Sequence, residues 1–525
     1  MATAVGGPPV LSPRPRRACP ASGARTEAAA HGAALGPLDA VVALALLALS
    51  VAVRVGALAP SSLWLDDAWV ALVSRADGLG EVVMVANTAP GFVAMQALVL
   101  GVAGFSELTA QLLPFLFGVA AAPALYLVAR RCGLCAPAAV LGAALVATSP
   151  FHIVHSARVK PFTADALAAV AVLFAGWRVV ERPVSARRWA GLGIVSVLAV
   201  VVSAATAATV AGAYLAGVLA AGLRRPRALR PAVWSTAGFG VFAVGWWALV
   251  LRHASTPGLR AYWANRYVEV SAGPGAAIGD VVSGLGEVVR GFVALPRAGG
   301  GAALAAAAVV VVARRPQLAP LVVAPVVVAV ALATLQLAPL GGGRTDIHLY
   351  PSLALLVALA LHVVGSRLPR PAAGTLATVV VAALVLALRP LPPYPDEDLR
   401  PLVAAVEQRA RSGDAIAVYS ASRWAYALYT SGPVELERDV TSANGFAVAI
   451  ADERVEVLGP HRADPRAHAA PLDRLAAGHD RIWLISSHTG ADLAVIEQLL
   501  AERGFVATAT DTRPGASLSL WSRAG

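Results

Sequence analysis

Two adjacent carboxylates lie between two indole rings in the stretch Leu63-Trp64-Leu65-Asp66-Asp67-Ala68-Trp69, directly after the first long apolar run. Ionised carboxylates beside a bilayer are costly unless they face water, a cation or a substrate, so acids in this position are candidates for function. The structural alternative is the start of a helix, where acids are favoured by the helix dipole. The rest of the chain decides between these two interpretations.

The composition indicates an integral membrane protein. The 525 residues have a mean hydropathy of +0.68 and contain long Ala/Val/Leu runs, which places the chain outside the range of soluble domains. The net charge of +11 comes almost wholly from arginine, since Lys160 is the only lysine. No basic stripe is interleaved with aromatic residues, so nucleic acid is not expected as a partner.

The apolar runs predict about eleven membrane spans by the length rule. They lie near residues 38–58, 110–130, 134–150, 161–179, 189–203, 205–222, 232–252, 300–313, 317–338, 350–364 and 372–389. Residues 1–37 are rich in Pro, Ala, Gly and Arg and predict a disordered cytoplasmic tail. We therefore expect a multi-pass protein of the cell inner (plasma) membrane, with a membrane domain over 38–390.

The arginine clusters predict the topology. Arginine-rich links are expected in the cytoplasm, and these links alternate correctly only if the run at 88–104 does not cross the membrane. That run contains Asn87, Pro90, Gly91 and Gln96 and is expected to lie in the interface instead. Residues 60–109 then form one external loop, and the C-terminal region lies on the same external side.

Three basic residues are expected on the face that carries the Asp pair. Arg158 and Lys160 precede the span at 161–179, and Arg344 follows three glycines before the span at 350–364. An ammonium and guanidinium groups suit a phosphate, because charge-assisted hydrogen bonds to phosphate are strong. The alternative for Lys160 is a snorkelling charge at a helix end, and the alternative for the glycines is a plain turn.

No motif predicts a metal site or an organic cofactor. Cys132-Gly-Leu-Cys135 is a lone CxxC, and His152 and His155 lack further ligands nearby in the sequence. The use of a divalent cation is left open.

The composition becomes that of a water-soluble module after the Pro-rich linker at 390–395. Helical spacing at 399–411, 422–430 and 491–503 alternates with strand-like runs at 415–419, 481–486, 505–510 and 517–522. Residues 391–525 therefore predict an extracytoplasmic α/β domain. It contains no P-loop, GxGxxG or nucleophile elbow, so nothing in it predicts catalysis.

Several motifs resemble the membrane-embedded GT-C glycosyltransferases, and within them the bacterial dolichyl-phosphate-mannose mannosyltransferase-like (family 39, ArnT-like) enzymes. They are Trp64 to Trp69, Ala89-Pro90-Gly91, Gly104 to Leu108, Ser149 to Phe162, and Arg344 to Pro351. The chain departs from the family where Asp67 replaces the usual Glu, Ala89 replaces the first residue of the usual Pro-Pro, and Ala157 replaces a charged residue.

The resemblance implies a GT-C-like fold and the transfer of a mannosyl- or arabinosyl-type sugar (EC 2.4) from a polyprenyl-monophosphate donor to an extracytoplasmic lipid, glycan or protein acceptor. Asp66 is then the general base, with Asp67 beside it in the catalytic pair. Arg158, Lys160 and Arg344 hold the donor phosphate, while the polyprenyl tail lies among the spans and membrane lipid. The residues expected to contact substrate are Trp64, His155, His348 and Tyr350.

Two other classes fit a multi-span chain. A transporter or flippase of lipid-linked or envelope components would use the Asp pair as a proton or cation site, but transporters place such sites near the bilayer midplane. Here the charges lie at the ends of the spans. A catalytically inactive envelope scaffold is the third interpretation, and the retention of Asp66, Lys160 and Arg344 together argues against it.

Overall fold

The computed structural model describes residues 35–58, 61–76, 88–224, 229–252, 257–293, 296–366, 369–388, 397–439, 446–459 and 465–524. The predicted cytoplasmic tail at 1–37 falls almost entirely outside these ranges, and so does the predicted linker at 390–395.

All the regular secondary structure in the described part of the membrane region is helical. Its helices are α1 Pro37–Ala52, α2 Leu65–Val73, α3 Pro90–Ala103, α4 Glu107–Arg131, α5 Ala136–Ala147, α6 Pro150–His155, α7 Phe162–Glu181, α8 Ala186–Val202, α9 Ala207–Arg224, α10 Leu229–Trp246, α11 Pro257–Tyr262, α12 Pro274–Phe292, α13 Arg297–Arg314, α14 Ala319–Thr334, α15 Tyr350–Gly365 and α16 Arg370–Leu386. Each of the predicted spans corresponds to one of these helices. A π-helical turn, Trp247–Leu251, extends α10, and a 3₁₀ helix, Arg344–Leu349, leads into α15.

Seven helical segments of the described chain are long and apolar enough to cross a membrane, judged by length and composition. They are Pro37–Ala57, Glu107–Arg131, Phe162–Glu181, Ala204–Leu223, Leu229–Leu251, Arg297–Arg314 and Arg344–Gly365. The apolar segments Ala136–Ala147, Ala319–Thr334 and Gly374–Leu386 are shorter. The run at 88–104 forms α3, which has 14 residues and spans about 21 Å at 1.5 Å per residue. Its place in the interface stays a prediction.

Helices α7 and α15 form the centre of the bundle, since Phe162–Glu181 and Arg344–Gly365 are the most buried of the seven segments. Small residues let their neighbours approach closely. A Cβ on Gly176 of α7 would lie 2.8 Å from both Ala213 of α9 and Leu321 of α14. Helices α10 and α13 are largely exposed and apolar, as expected for helices that face lipid.

The C-terminal module is an α/β domain. Its helices are α17 Arg400–Arg409, α18 Arg423–Tyr429, α19 Ala469–Gly478 and α20 Asp492–Glu502, and its strands are β1 Ala415–Val418, β2 Val434–Arg438, β3 Phe446–Ile450, β4 Val455–Val457, β5 Arg481–Ser487, β6 Phe505–Arg513 and β7 Ala516–Arg523. One sheet has the order β4-β1-β5-β7-β6, in which β1 is parallel to β4 and β5, and β7 is antiparallel to β5 and β6. Strands β2 and β3 form a separate antiparallel ribbon.

The module packs directly on the stretch that carries the Asp pair. Helix α18 lies against α2, and Trp69 contacts Phe446 at 5.5 Å between ring centroids. The Tyr429 hydroxyl accepts a hydrogen bond from the Leu63 amide at 2.7 Å, and Asp398 accepts one from the Ser62 hydroxyl at 2.7 Å. These hydrogen bonds hold Ser62 and Leu63, which precede α2, against the C-terminal module.

Candidate active site

Asp66 and Asp67 occupy the first turn of α2, after Trp64 in extended conformation. The helix dipole favours acids in a first turn, so the pair occupies the position that the structural alternative predicts. Neighbouring positions on a helix point about 100° apart, however, and the two carboxylates have different surroundings. The side chain of Asp67 is 1% exposed and that of Asp66 is 17% exposed.

Asp67 anchors the turn that contains the predicted basic residues. Its Oδ1 accepts a hydrogen bond from the Val159 amide at 3.0 Å, and its Oδ2 pairs with Nη1 of Arg158 at 3.2 Å. Burial raises the pKa of Asp67, against the opposing effect of Arg158 and Lys160. These two contacts connect Asp67 of α2 to the segment before α7.

Asp66 makes the long-range contact of the site. Its Oδ2 accepts a hydrogen bond from Nη1 of Arg344 at 2.7 Å, across 278 positions of sequence. Burial raises the pKa of Asp66, but the charges of Lys160 and Arg344 outweigh it and leave the pKa below its ordinary value. Asp66 is therefore an ionised, partly accessible carboxylate.

Lys160 is close enough to Asp66 and Asp67 for its charge to interact with both carboxylates. Its Nζ lies 4.1 Å from the ring centroid of Trp69. It is 8% exposed, so it is not a charge that reaches out into water as the snorkelling alternative requires. Burial lowers the pKa of Lys160 to about 8, although Asp66 raises it in part. The ammonium is retained at neutral pH by the two carboxylates.

Aromatic rings line the guanidinium groups. Arg158 lies 5.3 Å and Arg344 lies 5.9 Å from the ring centroid of Trp64, and Arg344 lies 5.6 Å from that of Trp263. The hydroxyl of Tyr262 accepts a hydrogen bond from Nη2 of Arg344 at 3.4 Å. Stacking on rings holds a guanidinium in place without using its hydrogen-bond donors.

The three glycines before Arg344 form a turn. The Asp346 carboxylate accepts hydrogen bonds from the amides of Gly341 at 3.2 Å and Gly343 at 3.0 Å. Both glycines have positive φ, and a Cβ on Gly343 would lie 2.6 Å from Phe151. These contacts form a turn, as the plain-turn interpretation predicts. The turn leads directly into Arg344, whose guanidinium donates to Asp66.

Six of the predicted site residues meet in one cluster, which we name the Asp66 cluster: Trp64, Asp66, Asp67, Arg158, Lys160 and Arg344. Three bases against two acids leave it with a net charge of +1. No group of three or more His, Cys, Asp or Glu side chains suited to a metal ion was found in the described ranges.

The other three predicted site residues lie in a buried layer behind this cluster. The His155 Nδ1 lies 2.7 Å from the Phe151 carbonyl oxygen, and burial lowers the pKa of this imidazole to about 3. The Nδ1 of His348 lies 2.9 Å from the Thr345 carbonyl oxygen. Tyr350 is fully buried with its ring 5.3 Å from that of Phe292. Their contact with substrate stays a prediction.

Two residues of the C-terminal module reach the cluster and were not predicted. Glu397, which is 2% exposed, accepts hydrogen bonds from the Leu65 amide at 3.2 Å and pairs with Nδ1 of His488 at 2.8 Å. The His488 ring lies 6.1 Å from that of Trp64. No motif marks these residues in the sequence, because their role depends on how the module docks. The adjacent aromatic residues Tyr262 and Trp263 lie between the predicted spans at 232–252 and 300–313 and were the available sequence signal for the aromatic side chains around Arg344.

Comparisons with known proteins agree with this architecture. Residues 87–247 match the family model described as dolichyl-phosphate-mannose-protein mannosyltransferase. Comparison with curated protein sequences finds no match.

Solved structures of two proteins resemble the fold of about nine-tenths of the chain. ArnT from Cupriavidus metallidurans in the apo state is 13% identical, with a TM-score of 0.55 over 91% of this chain and 97% of that one. The same protein bound to undecaprenyl phosphate is 15% identical, with a TM-score of 0.53 over 92% and 97%. The apo oligosaccharyltransferase of Archaeoglobus fulgidus is 14% identical, with a TM-score of 0.50 over 90% of this chain and 73% of that one.

The fold is a multi-pass helical membrane region followed by a C-terminal α/β domain, and it is similar to the fold of ArnT. The predicted resemblance to the ArnT-like, mannosyltransferase-related enzymes is confirmed, by the family model over residues 87–247 and by the similarity of fold over about nine-tenths of the chain.

Proposed function

We propose that the chain transfers a sugar from a polyprenyl-monophosphate donor to an acceptor on the extracytoplasmic side, with Asp66 as general base. The observation that carries the proposal is the meeting of Asp66 with Arg344 at 2.7 Å. This contact joins Asp66, in the predicted first external loop, to Arg344, which leads into α15. Lys160 is close enough for its charge to interact with both. The ArnT structure that binds undecaprenyl phosphate has the same fold, which supports a lipid phosphate as the donor's leaving group.

The proposed reaction is a single displacement at the anomeric carbon. The acceptor oxygen forms a bond to that carbon as the bond from carbon to phosphate oxygen breaks. The acceptor's proton goes to Asp66, and polyprenyl phosphate leaves with the electron pair. A positioned base contributes about 10²–10⁴-fold to such a step, and the Arg344 and Lys160 cations stabilise the charge that develops on the phosphate.

Donor binding activates the base in this scheme. In the free protein the charges of Lys160 and Arg344 keep the pKa of Asp66 low, which makes it a weak base. A donor phosphate shares these cations and adds negative charge next to Asp66, so the pKa of Asp66 rises as the donor enters. Asp67, which is tied to Val159 and Arg158, holds the geometry and does not take the proton.

The proposal is tested by incubating the full chain in lipid nanodiscs with a panel of polyprenyl-monophosphate sugars and crude envelope acceptors. Release of free polyprenyl phosphate is measured with added divalent cation and with chelator. We expect release with one donor, and loss of release in Asp66→Asn. Asp480→Asn is the matched control, since this carboxylate is 86% exposed and precedes β5, at the opposite end of that strand from His488. Equal turnover in Asp66→Asn and wild type would remove Asp66 as the base.

A further inference from the structure

A cleft of about 490 Å³ with mixed polar and apolar walls lies in the C-terminal module where β5 ends and β6 turns into β7. Its lining residues include Ser486, Ser487, Thr489, Thr512 and Ser517; the hydroxyls of Ser486 and Ser517 lie 2.8 Å apart and bond to each other, and that of Ser487 bonds to Ser422 at 3.1 Å. Glu397, His488 and Arg513 add a carboxylate, an imidazole and a guanidinium. The volume is within the range of ligand sites, which are about 300–1,000 Å³.

The position of the cleft in the fold is that of a ligand site. Strands β1 and β5 are parallel, and ligands of α/β sheets bind outside the carboxyl ends of such strands. His488, the first residue after β5, has a φ of 56°, a left-handed conformation that is uncommon for a residue other than glycine. This conformation turns the chain at the mouth of the cleft and places the imidazole beside Trp64.

The cleft shares a wall with the Asp66 cluster. Glu397 lines the cleft and also accepts a hydrogen bond from the Leu65 amide, one residue before Asp66. His488 lines the cleft and contacts Trp64, whose ring also lies near Arg158 and Arg344. One layer of side chains therefore separates the cleft from the proposed base.

The chemistry of the walls selects a polyhydroxylated ligand. The hydroxyls of Thr489 and Thr512 donate and accept hydrogen bonds and the Arg513 guanidinium donates, while Leu493 and Ala516 add apolar surface; this combination matches the hydroxyl groups and the C–H faces of a sugar ring. A phosphate would find a single guanidinium, that of Arg513, which already pairs with Asp511 at 3.3 Å. The cleft lies at strand ends, so it does not offer the open strand edge along which extended peptides pair.

We propose that this cleft is the acceptor subsite and binds the glycan part of an envelope molecule, whose reacting hydroxyl passes Trp64 to reach Asp66. The inference rests on the proposed function and extends it to the class of acceptor. It gives the C-terminal module a direct part in the reaction, through substrate binding.

The test is a binding measurement without donor, on the full chain in nanodiscs, by calorimetry or saturation-transfer NMR. The probes are a mannose disaccharide, an arabinose disaccharide and a Ser/Thr-rich peptide. Thr489→Trp fills the cleft, while Thr508→Trp makes the same change at an exposed site on β6 outside it. We expect saturable binding of a disaccharide, a Kd raised at least tenfold by Thr489→Trp, and no change in Thr508→Trp.

Three results would overturn the proposal: no saturable binding of either disaccharide, binding of the peptide alone, or equal disaccharide affinity in Thr489→Trp and wild type. Thr512→Trp narrows the cleft from the opposite wall and replaces Thr489→Trp if that variant has a lowered melting temperature. Because no donor is present, these results are independent of whether sugar transfer occurs. Failure of transfer with retained glycan binding would count against the proposed function and leave the subsite standing.

Discussion

Two acid and arginine clusters, one at the first turn of α1 and the other at the first turn of α2, differ in charge balance. Near the start of α1, Asp39 accepts hydrogen bonds from Arg130 Nε at 2.7 Å, from the Tyr126 hydroxyl at 2.7 Å and from the Gly36 amide at 3.0 Å. We name this the Asp39 cluster. Arg130 also donates to the Leu134 carbonyl, so one acid and one base satisfy each other locally.

The Asp66 cluster, which includes the first turn of α2, has an excess of positive charge among its six residues and indole faces around it. Its three bases exceed its two acids, and Trp64, Trp69 and Trp263 lie against the cations. A balanced pair needs no further partner, whereas a cationic, aromatic-lined site still has charge to offer to an anion. The comparison therefore favours the Asp66 cluster over the Asp39 cluster as the place where an anion would bind, and the predictions below test this difference.

The largest expected difference between the clusters is in turnover. Asp66→Asn removes the proposed base, so we expect the turnover number to fall by about 10²–10⁴-fold. Asp39→Asn is the matched change in the balanced cluster and should leave turnover per folded molecule within about threefold, which we set as the margin for a site outside the reaction. Both are measured as the initial rate of polyprenyl phosphate release. A similar loss in the two variants would mean that the comparison does not separate function from structure.

Arg344→Gln should weaken donor binding. It removes a charge-assisted hydrogen bond worth about 1.5–3 kcal/mol, which corresponds to a rise in donor Kd of about 10–150-fold. Arg344→Lys keeps the charge but loses the planar fork, so its affinity should fall between those of wild type and Arg344→Gln. Kd is measured by titrating nanodiscs with fluorescent polyprenyl phosphate. An unchanged Kd in Arg344→Gln would exclude Arg344 from the phosphate site.

The effect on stability should have the opposite order. Asp39→Asn leaves the Arg130 guanidinium without its carboxylate, so we expect the free energy of unfolding to fall by about 1–3 kcal/mol. Asp66 accepts a hydrogen bond from Arg344, whereas Asp39 accepts three, from Arg130, Tyr126 and Gly36, so the loss in Asp66→Asn should be smaller although it adds to the excess of positive charge. Denaturant midpoints of the purified variants check this order, and a larger loss in Asp66→Asn would reverse the interpretation of the two clusters.

The smallest expected effect is a pH dependence of donor affinity. The folded-state pKa of Lys160 is lowered to about 8, so the ammonium is present below pH 8 and is lost as the pH rises through 8. Loss of one of three cations should weaken donor binding by up to about tenfold between pH 7 and 9. Lys160→Arg stays charged over this range and should remove the step. Persistence of the step in this variant would assign it to another group.

Much of the fold was predictable because it depends on local patterns. The apolar runs, the helix spacing at 399–411 and 491–503, and the strand at 481–486 each reflect nearby residues and were found where expected. Strands β2 and β3 were missed, although Val434 and Leu436 alternate with glutamates in the period of a strand. Strand β4 has three residues, too few for any periodic signal.

The site was predictable in part for a related reason. Asp66, Lys160 and Arg344 are rare charges at the ends of apolar runs, so each is conspicuous in the sequence and topology brings them to one face. Glu397 and His488 are ordinary polar residues of a soluble domain, and only docking on Leu65 and Trp64 gives them their role. The topology itself, including the side on which the module lies, stays a prediction from the arginine clusters.

The most direct measurement of the central claim is photocrosslinking with a polyprenyl phosphate that carries a photoreactive group next to its phosphate. The full chain in nanodiscs is labelled, digested and mapped by mass spectrometry. The account predicts label in residues 61–76, 158–160, 257–266 or 344–350, reduced by excess unlabelled polyprenyl phosphate and by Arg344→Gln. Competed label around Asp39 and Arg130, with none near Asp66, would contradict the assignment of the donor site to the Asp66 cluster.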